Sequence, residues 1–325
     1  MSTPLRIGVL GCADIALRRM LPAMARHPDV DVTAVASRDE AKAKEAAAPY
    51  GADPVQGYAE LLRRDDIDAV YVPLPAALHA EWTEAALRAG KHVLAEKPLT
   101  TDRVLTGRLL DLARESGLGL MENVMFVHHH LHRAVRGLLA DGAIGELHAF
   151  HAVFGIPRLP DTDIRYAPEL GGGALWDVGI YPLRAALHFL GDDLEVLGAH
   201  LTRGSGRQVE TSGAALLANG AGVNAQVSFG MDHAYRSSYE LWGSEGRILV
   251  DRAYTPPADH SPVIRVERRT GTEEIRLDPD DQVGNTVAAF VDSVRSGTGP
   301  AYDRAVPLRQ AELLDAVRRA GLWAA

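Results

Sequence analysis

Short apolar runs alternate with amphipathic stretches over the first part of the chain. The runs have the length of strands and the continuous hydrophobicity of strands buried on both faces. They lie at residues 5–10, 32–36, 69–75, 91–96 and 119–123. Between them, apolar residues recur every three to four positions, which predicts helices at residues 20–27, 58–62, 79–89 and 104–114. Strands that alternate with helices indicate a doubly wound, mostly parallel sheet, as in a Rossmann-type α/β domain.

The pattern changes after residue 124, where apolar residues alternate with polar ones. This alternation predicts an antiparallel sheet with one solvated face. Its strands are expected at residues 147–154, 196–202, 214–217, 223–229, 239–242, 247–250 and 263–268. Helical spacing predicts helices at residues 135–139, 180–190 and 281–323. We therefore expect an α/β domain at residues 1–124, then an α+β domain with a large, predominantly antiparallel open sheet at residues 125–325. The C-terminal helices should pack back on both domains.

The candidate chemistry of the second domain is concentrated at residues 171–182, where three consecutive glycines precede a helical pattern. Glycine lets the backbone adopt a positive φ and approach a ligand closely. Asp177 and Tyr181 lie four residues apart, so a continuous helix would place them on one face. Proline is disfavoured inside a helix. Pro182 therefore indicates that the helix either begins near Gly179 or kinks there.

The turn after the first predicted strand has features of a dinucleotide-binding site. Gly11 stands between a strand and a helix, where a pyrophosphate binds at the helix N-terminus. Only the first of the three fingerprint glycines is present, because Ala13 and Ala16 occupy the other two positions. The residues expected to contact the pyrophosphate are Gly11, Cys12, Ala13, Asp14 and Ile15.

The end of the second predicted strand indicates which cofactor is used. NAD sites usually place an acidic residue there, which accepts a hydrogen bond from the ribose 2′-hydroxyl. This chain instead has Ser37 and Arg38, whose hydroxyl and guanidinium suit a 2′-phosphate. The sequence therefore predicts NADP(H). Further cofactor contacts are expected at the carboxyl ends of the later strands, where open α/β sheets bind ligands. These residues are Leu74, Pro75, His79, Glu96, Lys97 and Asn123.

Composition excludes several classes of function. The 325 residues carry a net charge of −9, which argues against a nucleic-acid partner. An anionic substrate must therefore be neutralised by local arginines and lysines. The single cysteine, Cys12, excludes an internal disulfide and suits a reducing cytoplasm. No secretory signal and no apolar run of about 18 residues is found, so we expect a cytoplasmic protein without a membrane partner.

Two polar segments of the second domain are candidates for binding. Residues 128–132 contain four histidines, but no metal is predicted, because no cysteine and no acidic residue stands at the usual ligand spacing. The loop at residues 155–170 is long, and long loops in compact domains are usually functional. Its Arg158, Arg165 and Tyr166 are expected to bind substrate together with Trp176.

The order of these motifs resembles that of the Gfo/Idh/MocA family of nicotinamide-dependent oxidoreductases. The resemblance covers essentially the whole chain. It rests on Ile-Gly-Val-Leu-Gly at 7–11, Ala-Glu-Lys-Pro at 95–98, Glu-Asn at 122–123 and the segment at 171–182. Many members have a histidine where this chain has Tyr181. The Asp-Val-Gly-Ile-Tyr form is similar to the branch that reduces keto groups on nucleotide-linked sugars, and residues 94–102 and 233–235 resemble the NDP-hexose 3-ketoreductases of deoxysugar biosynthesis.

The resemblance implies NADPH-dependent reduction of a keto group, at C3, on a dTDP-linked keto-deoxysugar of antibiotic biosynthesis. Tyr181 would donate a proton to the carbonyl oxygen, and Lys97 would hydrogen-bond the carbonyl or the tyrosine. Delivery of the proton by Lys97 itself is the alternative. Asp177 would hold the substrate or Lys97. Pro98 after Lys97 allows a cis peptide bond, which would make that turn rigid.

Two other functions remain open at this point. One is a dehydrogenase of a free sugar, a polyol or a dihydrodiol, and the other is a regulatory protein that senses the cofactor without catalysis. In proteins of this resemblance a second subunit usually covers the outer face of the open sheet. We therefore expect a homo-oligomer, either a dimer or a tetramer.

Overall fold

The computed structural model describes residues 3–324, which form two compact units. One unit contains the chain up to Val124 together with Val283–Leu308. The other contains Met125–Gln282 and the chain from Arg309 onward. We propose that these units are the two domains of the protein. None of the helices in residues 3–324 combines the length and the apolar composition that crossing a membrane requires.

The first unit is built on a parallel sheet of six strands in the order β3-β2-β1-β4-β5-β6. The strands are β1 Leu5–Leu10, β2 Val30–Ser37, β3 Asp53–Gln56, β4 Ala69–Val72, β5 His92–Glu96 and β6 Leu120–Asn123. The helices between them are α1 Leu21–Arg26, α2 Glu40–Ala47, α3 Tyr58–Leu62, α4 Ala76–Arg88 and α5 Arg103–Glu115. The strand order reverses between β1 and β4, which is the switch point of a Rossmann fold. The predicted α/β class is confirmed.

The central strands of this sheet are buried on both faces. Every residue of β4 is buried, which explains its continuous apolar sequence. Aspartates begin two of the helices. The carboxylate of Asp102 accepts the N–H groups of Val104 and Leu105 at 2.7 and 3.0 Å, and Asp39 caps α2 in the same way. The central strands are therefore buried and these two helices are capped, so the irregular backbone of the unit lies in the turns at the strand ends.

The second unit is built on a sheet of nine strands in the order β14-β13-β12-β11-β7-β10-β9-β8-β15. The strands are β7 Leu147–Gly155, β8 Glu195–Thr202, β9 Ser212–Ala218, β10 Asn224–Gly230, β11 Arg236–Gly243, β12 Gly246–Asp251, β13 Val263–Arg268, β14 Gly271–Arg276 and β15 Gly321–Ala324. Neighbours are antiparallel except at β7–β10 and β8–β15. The helices are α6 His130–Ala140 and α7 Ile180–Leu190, with α8 Gln282–Ser296 and α9 Ala305–Ala320 following the sheet. The predicted large, mostly antiparallel sheet is confirmed.

The two faces of this sheet differ. Helix α7 packs on one face, where Phe189 contacts the Phe150 ring with centroids 5.8 Å apart. The opposite face leaves large apolar side chains in solvent. Leu197, Leu216 and Trp242 are 62%, 41% and 54% exposed. One face therefore belongs to the core of the unit, and on the other these large apolar side chains are exposed among the described residues.

Several elements differ from the prediction. The edge strands β3 and β14 were not predicted, because most of their residues are polar and exposed. The polar helix α2 was also not predicted. The helical region expected at residues 281–323 consists of the two helices α8 and α9, but its predicted end is wrong, because the last described residues form β15. Helix α8 belongs mainly to the first unit, whereas α9 continues from the first unit into the second.

Candidate active site

The turn after β1 has the geometry that close approach of a ligand requires. Gly11 has a φ of +121°, and a Cβ at this position would lie 3.0 Å from a methyl carbon of Leu74. Its N–H donates to the carbonyl oxygen of Ala36 at 2.9 Å, which ties the turn to β2. Glycine is therefore required here. The residues that follow are Cys12, Ala13, Asp14 and Ile15, of which only Asp14 is exposed.

Ser37 and Arg38, the predicted 2′-phosphate contacts, differ in exposure. Ser37 is buried, and its hydroxyl accepts the N–H of Asp39 at 3.2 Å. Arg38 is exposed, and no ion pair with a carboxylate is found for it in the described part of the chain. Burial raises the pKa of the Tyr58 hydroxyl, and the positive charge of Arg38 opposes that rise. An exposed guanidinium without a carboxylate suits an anionic group.

A buried polar network joins the ends of β4, β5 and β6. The Tyr71 hydroxyl donates to Oε1 of Glu96 at 2.7 Å, and the amide nitrogen of Asn123 donates to the same oxygen at 2.5 Å. The amide oxygen of Asn123 is buried and has no hydrogen-bond partner among the described residues. An orphaned acceptor of this kind needs a partner. Together with a turn at Gly11 that has no side chain, it fits a nicotinamide cofactor, whose carboxamide can donate a hydrogen bond.

His79 joins two turns of this region. The ring is buried, and its Nδ1 and Nε2 each lie 2.7 Å from a carbonyl oxygen, that of Pro98 and that of Leu74 respectively. Burial lowers the pKa of His79, while the two carbonyl contacts oppose this effect. His79 was predicted as a cofactor contact. Its placement indicates a contribution through the position of Leu74 and the half-buried Pro75.

The turn that contains Lys97 is held from β6. Glu122 is buried, and its carboxylate accepts the N–H of Leu99 at 2.8 Å. The peptide bond between Lys97 and Pro98 is cis, as the sequence allows. Lys97 itself is half-buried at the carboxyl end of β5. This is the edge of a parallel sheet at which ligands bind.

In the second unit, the three glycines form a tightly packed loop. Gly171 and Gly173 have φ values of +78° and +132°. A Cβ on Gly172 would lie 2.5 Å from the carbonyl oxygen of Arg165, which also accepts the N–H of Gly173 at 2.9 Å. The glycines therefore allow the backbone to pack against the backbone of the long loop.

The predicted helix after the glycines is preceded by a helical turn that was not predicted. A π-helical turn at Leu175–Gly179 runs directly into α7. Pro182 lies in the first turn of α7, where a missing N–H is tolerated. Of the two expected arrangements, the structure has the start near Gly179, because the α-helix begins at Ile180 directly after the π turn. π-Helical turns of this kind are frequent at functional sites.

Asp177 lies in the π turn and bonds to the long loop. Its Oδ2 accepts Nε of Arg165 at 2.7 Å, and Arg165 also pairs with Asp163 at 3.1 Å. The Asp177 charge, with that of Asp163, raises the pKa of Arg165. Within this unit, Asp177 therefore contacts an arginine that the sequence analysis assigned to the substrate. Trp176, beside it, is half-buried.

Tyr181 is half-buried at the edge of an aromatic cluster. Its ring centroid lies 4.8 Å from that of Phe154, 5.8 Å from Tyr254 and 6.1 Å from Phe126. These rings fix the orientation of the phenol. The Tyr254 hydroxyl is fully buried and has no hydrogen-bond partner among the described residues, and burial raises its pKa. Tyr181 is the more accessible phenol of the two.

The other predicted substrate residues form a separate group in the long loop. Arg158 pairs with Asp161 at 2.9 Å, and Asp161 also accepts Arg207 at 2.5 Å. The guanidinium of Arg207 lies 3.6 Å from the centroid of the Tyr166 ring. Tyr166 is buried, and its hydroxyl donates to Asp232 at 3.3 Å. Arg207 and Asp232 were not predicted, because neither lies in a motif and both reach the loop from distant segments.

Three histidines of the segment at residues 128–132 make contacts within the second unit. His132 is fully buried, with ring nitrogens at hydrogen-bond distance from the Tyr239 hydroxyl and the Ala253 carbonyl oxygen. His129 and His130 meet Asp280, whose Oδ2 lies 3.5 and 3.3 Å from their Nδ1 atoms.

This trio has the ligand types of a metal site, which the spacing along the sequence did not predict. The acid comes from a distant segment. Nδ1 of His129 accepts the N–H of Leu131, however, and Oδ2 of Asp280 accepts the N–H of His130. These backbone contacts make His129 and Asp280 caps at the start of α6.

The comparisons with known proteins agree along the whole chain. The profile of the Gfo/Idh/MocA oxidoreductase family with an NAD-binding Rossmann fold matches residues 5–124, and that of the Gfo/Idh/MocA C-terminal domain matches residues 132–249. A curated relative from Streptomyces violaceoruber, dTDP-3,4-didehydro-2,6-dideoxy-alpha-D-glucose 3-reductase, is 57% identical over 97% of this chain and 95% of its own length.

Solved structures match equally completely. A 3-ketoreductase from Actinomadura kijaniata in complex with NADP and TDP-benzene has a TM-score of 0.97 and 52% identity, covering 99% of this chain and all of that chain (100%). A variant of that enzyme with a tyrosine replaced by phenylalanine, also with TDP-benzene and NADP, gives the same TM-score of 0.97, identity of 52% and coverage of 99% and 100%. Because the two family profiles together match more than half of the chain and a relative of 57% identity covers 97% of it, the chain belongs to the Gfo/Idh/MocA family of oxidoreductases.

Proposed function

We propose that this chain is an NADPH-dependent ketoreductase that reduces the 3-keto group of a dTDP-linked keto-deoxysugar. One observation carries the proposal, namely its 57% identity over nearly its whole length to a dTDP-sugar 3-reductase. The similar 3-ketoreductase with bound NADP and TDP-benzene supports the cofactor and the nucleotide. A cytoplasmic role in deoxysugar and antibiotic biosynthesis follows from this substrate class.

The residues have separate roles in the proposed reaction. When bound, NADPH supplies the hydride that adds to the carbonyl carbon. Tyr181 donates its phenolic proton to the carbonyl oxygen as negative charge develops there. Lys97 stabilises that charge as a cation. Asp177 holds Arg165 in place. Gly11 provides a turn without a side chain, and Asn123 provides a hydrogen-bond acceptor for the cofactor.

We also propose that the protein is a homo-oligomer that associates through the uncovered face of its large sheet. Leu197, Leu216 and Trp242 lie on β8, β9 and β11 of this face and are exposed. Exposed apolar residues on one surface favour association with a second such surface. The same face of a second copy presents the same apolar residues, and it is therefore the proposed partner.

The first prediction concerns the substrate. The purified protein should oxidise NADPH in the presence of a dTDP-linked 3-keto-deoxysugar. The reaction is measured by the loss of NADPH absorbance and by mass analysis of the reduced sugar. The same sugar without its nucleotide should react at least about tenfold more slowly at equal concentration, since remote binding energy is lost. Equal rates would favour a dehydrogenase of free sugars. Tight NADPH binding without turnover of any keto sugar would favour the cofactor sensor.

The second prediction concerns the cofactor. A charge-assisted contact of Arg38 with the 2′-phosphate should favour NADPH over NADH by about ten- to a hundredfold in Kd. Replacing Arg38 by Ala should remove most of this preference, and Ser37→Asp should reverse it by repulsion. Fluorescence titration measures both constants. Arg88→Ala, an exposed arginine on α4, serves as the control. Equal affinities in the wild type would disprove this assignment.

The third prediction concerns proton donation. Tyr181→Phe should lower kcat by about 10²- to 10⁴-fold with little change in NADPH affinity, because only the hydroxyl is lost. Tyr254→Phe is the matched control, since it removes an unpartnered hydroxyl from the same aromatic cluster. It should leave kcat nearly unchanged. A loss below about fivefold in Tyr181→Phe would transfer the proton-donor role to Lys97 or to water.

The fourth prediction concerns the oligomer. Light scattering after gel filtration should give the wild type a mass of at least two chains. Leu216→Arg combined with Trp242→Arg should shift it toward one chain, because each places an unpaired charge in the proposed interface. Val104→Arg, at an exposed position of α5 in the other unit, should not. A monomeric wild type would exclude this interface.

A further inference from the structure

A buried carboxylate lies under the glycine loop of the candidate site. Glu210 precedes β9 and is 7% exposed. Its Oε1 accepts the N–H of Leu175 at 3.0 Å, and its backbone oxygen accepts the N–H of Ala174 at 2.9 Å. Burial raises the pKa of Glu210. The side chain and the main chain of this one residue thus bond to two successive N–H groups.

These two N–H groups begin the helical segment that contains Asp177. The first N–H groups of a helix have no partner inside it, and a side chain near the helix start usually accepts them. Here the cap position preceding the π turn is Ala174, which offers no acceptor. Glu210, distant in sequence, supplies the acceptor instead. The start of this helix is therefore fixed by the sheet and not by its own sequence.

Glu210 also explains the third glycine. A Cβ on Gly173 would lie 2.4 Å from Oε1 of Glu210. On the other side, the N–H of Gly173 donates to the carbonyl oxygen of Arg165. The loop therefore lies between the Glu210 carboxylate and Arg165, whose guanidinium binds Asp177.

The anchoring of Glu210 is itself rigid. The next residue, Thr211, donates its N–H to Thr202 of β8 at 2.9 Å, and its carbonyl oxygen accepts the N–H of Met231 at 2.8 Å. A chain of hydrogen bonds thus runs from the sheet through Glu210 to the first turn of the helix. Tyr181 follows that turn on the same helical segment.

We infer that Glu210 is a positioning residue, which fixes the first turn of the helix and through it the side chains of Asp177 and Tyr181. This inference rests on the proposed function for its catalytic consequence. Its structural consequence, a fixed helix start, is independent of any substrate. Misplacement of a catalytic group by about 1 Å can lower a rate by about a hundredfold, so loss of this acceptor should affect kcat.

Two substitutions of similar size distinguish the effect of losing the hydrogen bond from the effect of altered packing. Glu210→Gln keeps an oxygen acceptor for Leu175, whereas Glu210→Met fills the same space without one. Glu210→Met should lower kcat by about ten- to a hundredfold with little change in KM or in the Kd of NADPH. Glu210→Gln should remain within about threefold of the wild type. Equal losses in both variants, or no loss in Glu210→Met, would overturn the inference.

A double-mutant cycle tests whether Glu210 acts through Tyr181. In a Tyr181→Phe background, Glu210→Met should cost less than about threefold, because the misplaced hydroxyl is already absent. An undiminished loss in that background would contradict action through Tyr181.

Hydrogen exchange gives a readout without activity. In Glu210→Met, but not in Glu210→Gln, the amides of residues 174–177 should exchange at least about tenfold faster than in the wild type. Unchanged exchange in Glu210→Met would overturn the inference even in an active enzyme. If the wild type shows no ketoreductase activity but this difference is found, the proposed function fails and the positioning role stands.

Discussion

An irregular turn leaves backbone N–H and C=O groups without the partners that a helix or a sheet would supply. The turns of the candidate site meet this constraint with buried polar side chains. His79 contacts the carbonyl oxygens of two turns, and Glu122 accepts an N–H next to the Lys97 turn. Glu210 accepts the N–H that begins the helix of Tyr181. The candidate catalytic residues stand at such turns, so their positions depend on these contacts.

Glycine is the counterpart of these buried side chains. Gly11 and Gly173 both have positive φ, and a side chain on either would collide with a neighbouring group. At Gly11 that neighbour is the Leu74 side chain, and at Gly173 it is the Glu210 carboxylate. In both units the positive φ of the turn, with the close approach of a neighbouring group, favours glycine.

The sequence predicts those elements whose burial repeats with a regular period. The central parallel strands were found because they are mostly apolar, as β4 is throughout, and the long antiparallel strands because they alternate. Strand β14 has almost no buried residue, so no pattern marks it. Contacts between distant segments were also missed. Only the fold brings Asp280 close to His130 and Glu210 close to Leu175.

In the candidate site, too, the sequence predicts the residues that belong to local motifs and misses the contacts between distant segments. Gly11 and Lys97 belong to local motifs, and the family resemblance supplies the role of Tyr181. The residues that hold them, such as His79 through its two carbonyl contacts, act in ways that no local motif reveals. Their assignments as cofactor or substrate contacts stay predictions, whereas their hydrogen bonds are properties of the fold.

Charge distribution gives the arginines different roles. Arg38 is exposed and lacks a carboxylate partner in the described residues, so its charge is available to a phosphate. Arg165 lies between Asp163 and Asp177, so this group as a whole is not positive. A diphosphate brought to a chain of net charge −9 needs local positive charge. Arg158 is exposed and has one carboxylate partner. Of the two arginines predicted to bind the substrate, it is therefore the better suited to an anion, while Arg165 is better suited to orient Asp177.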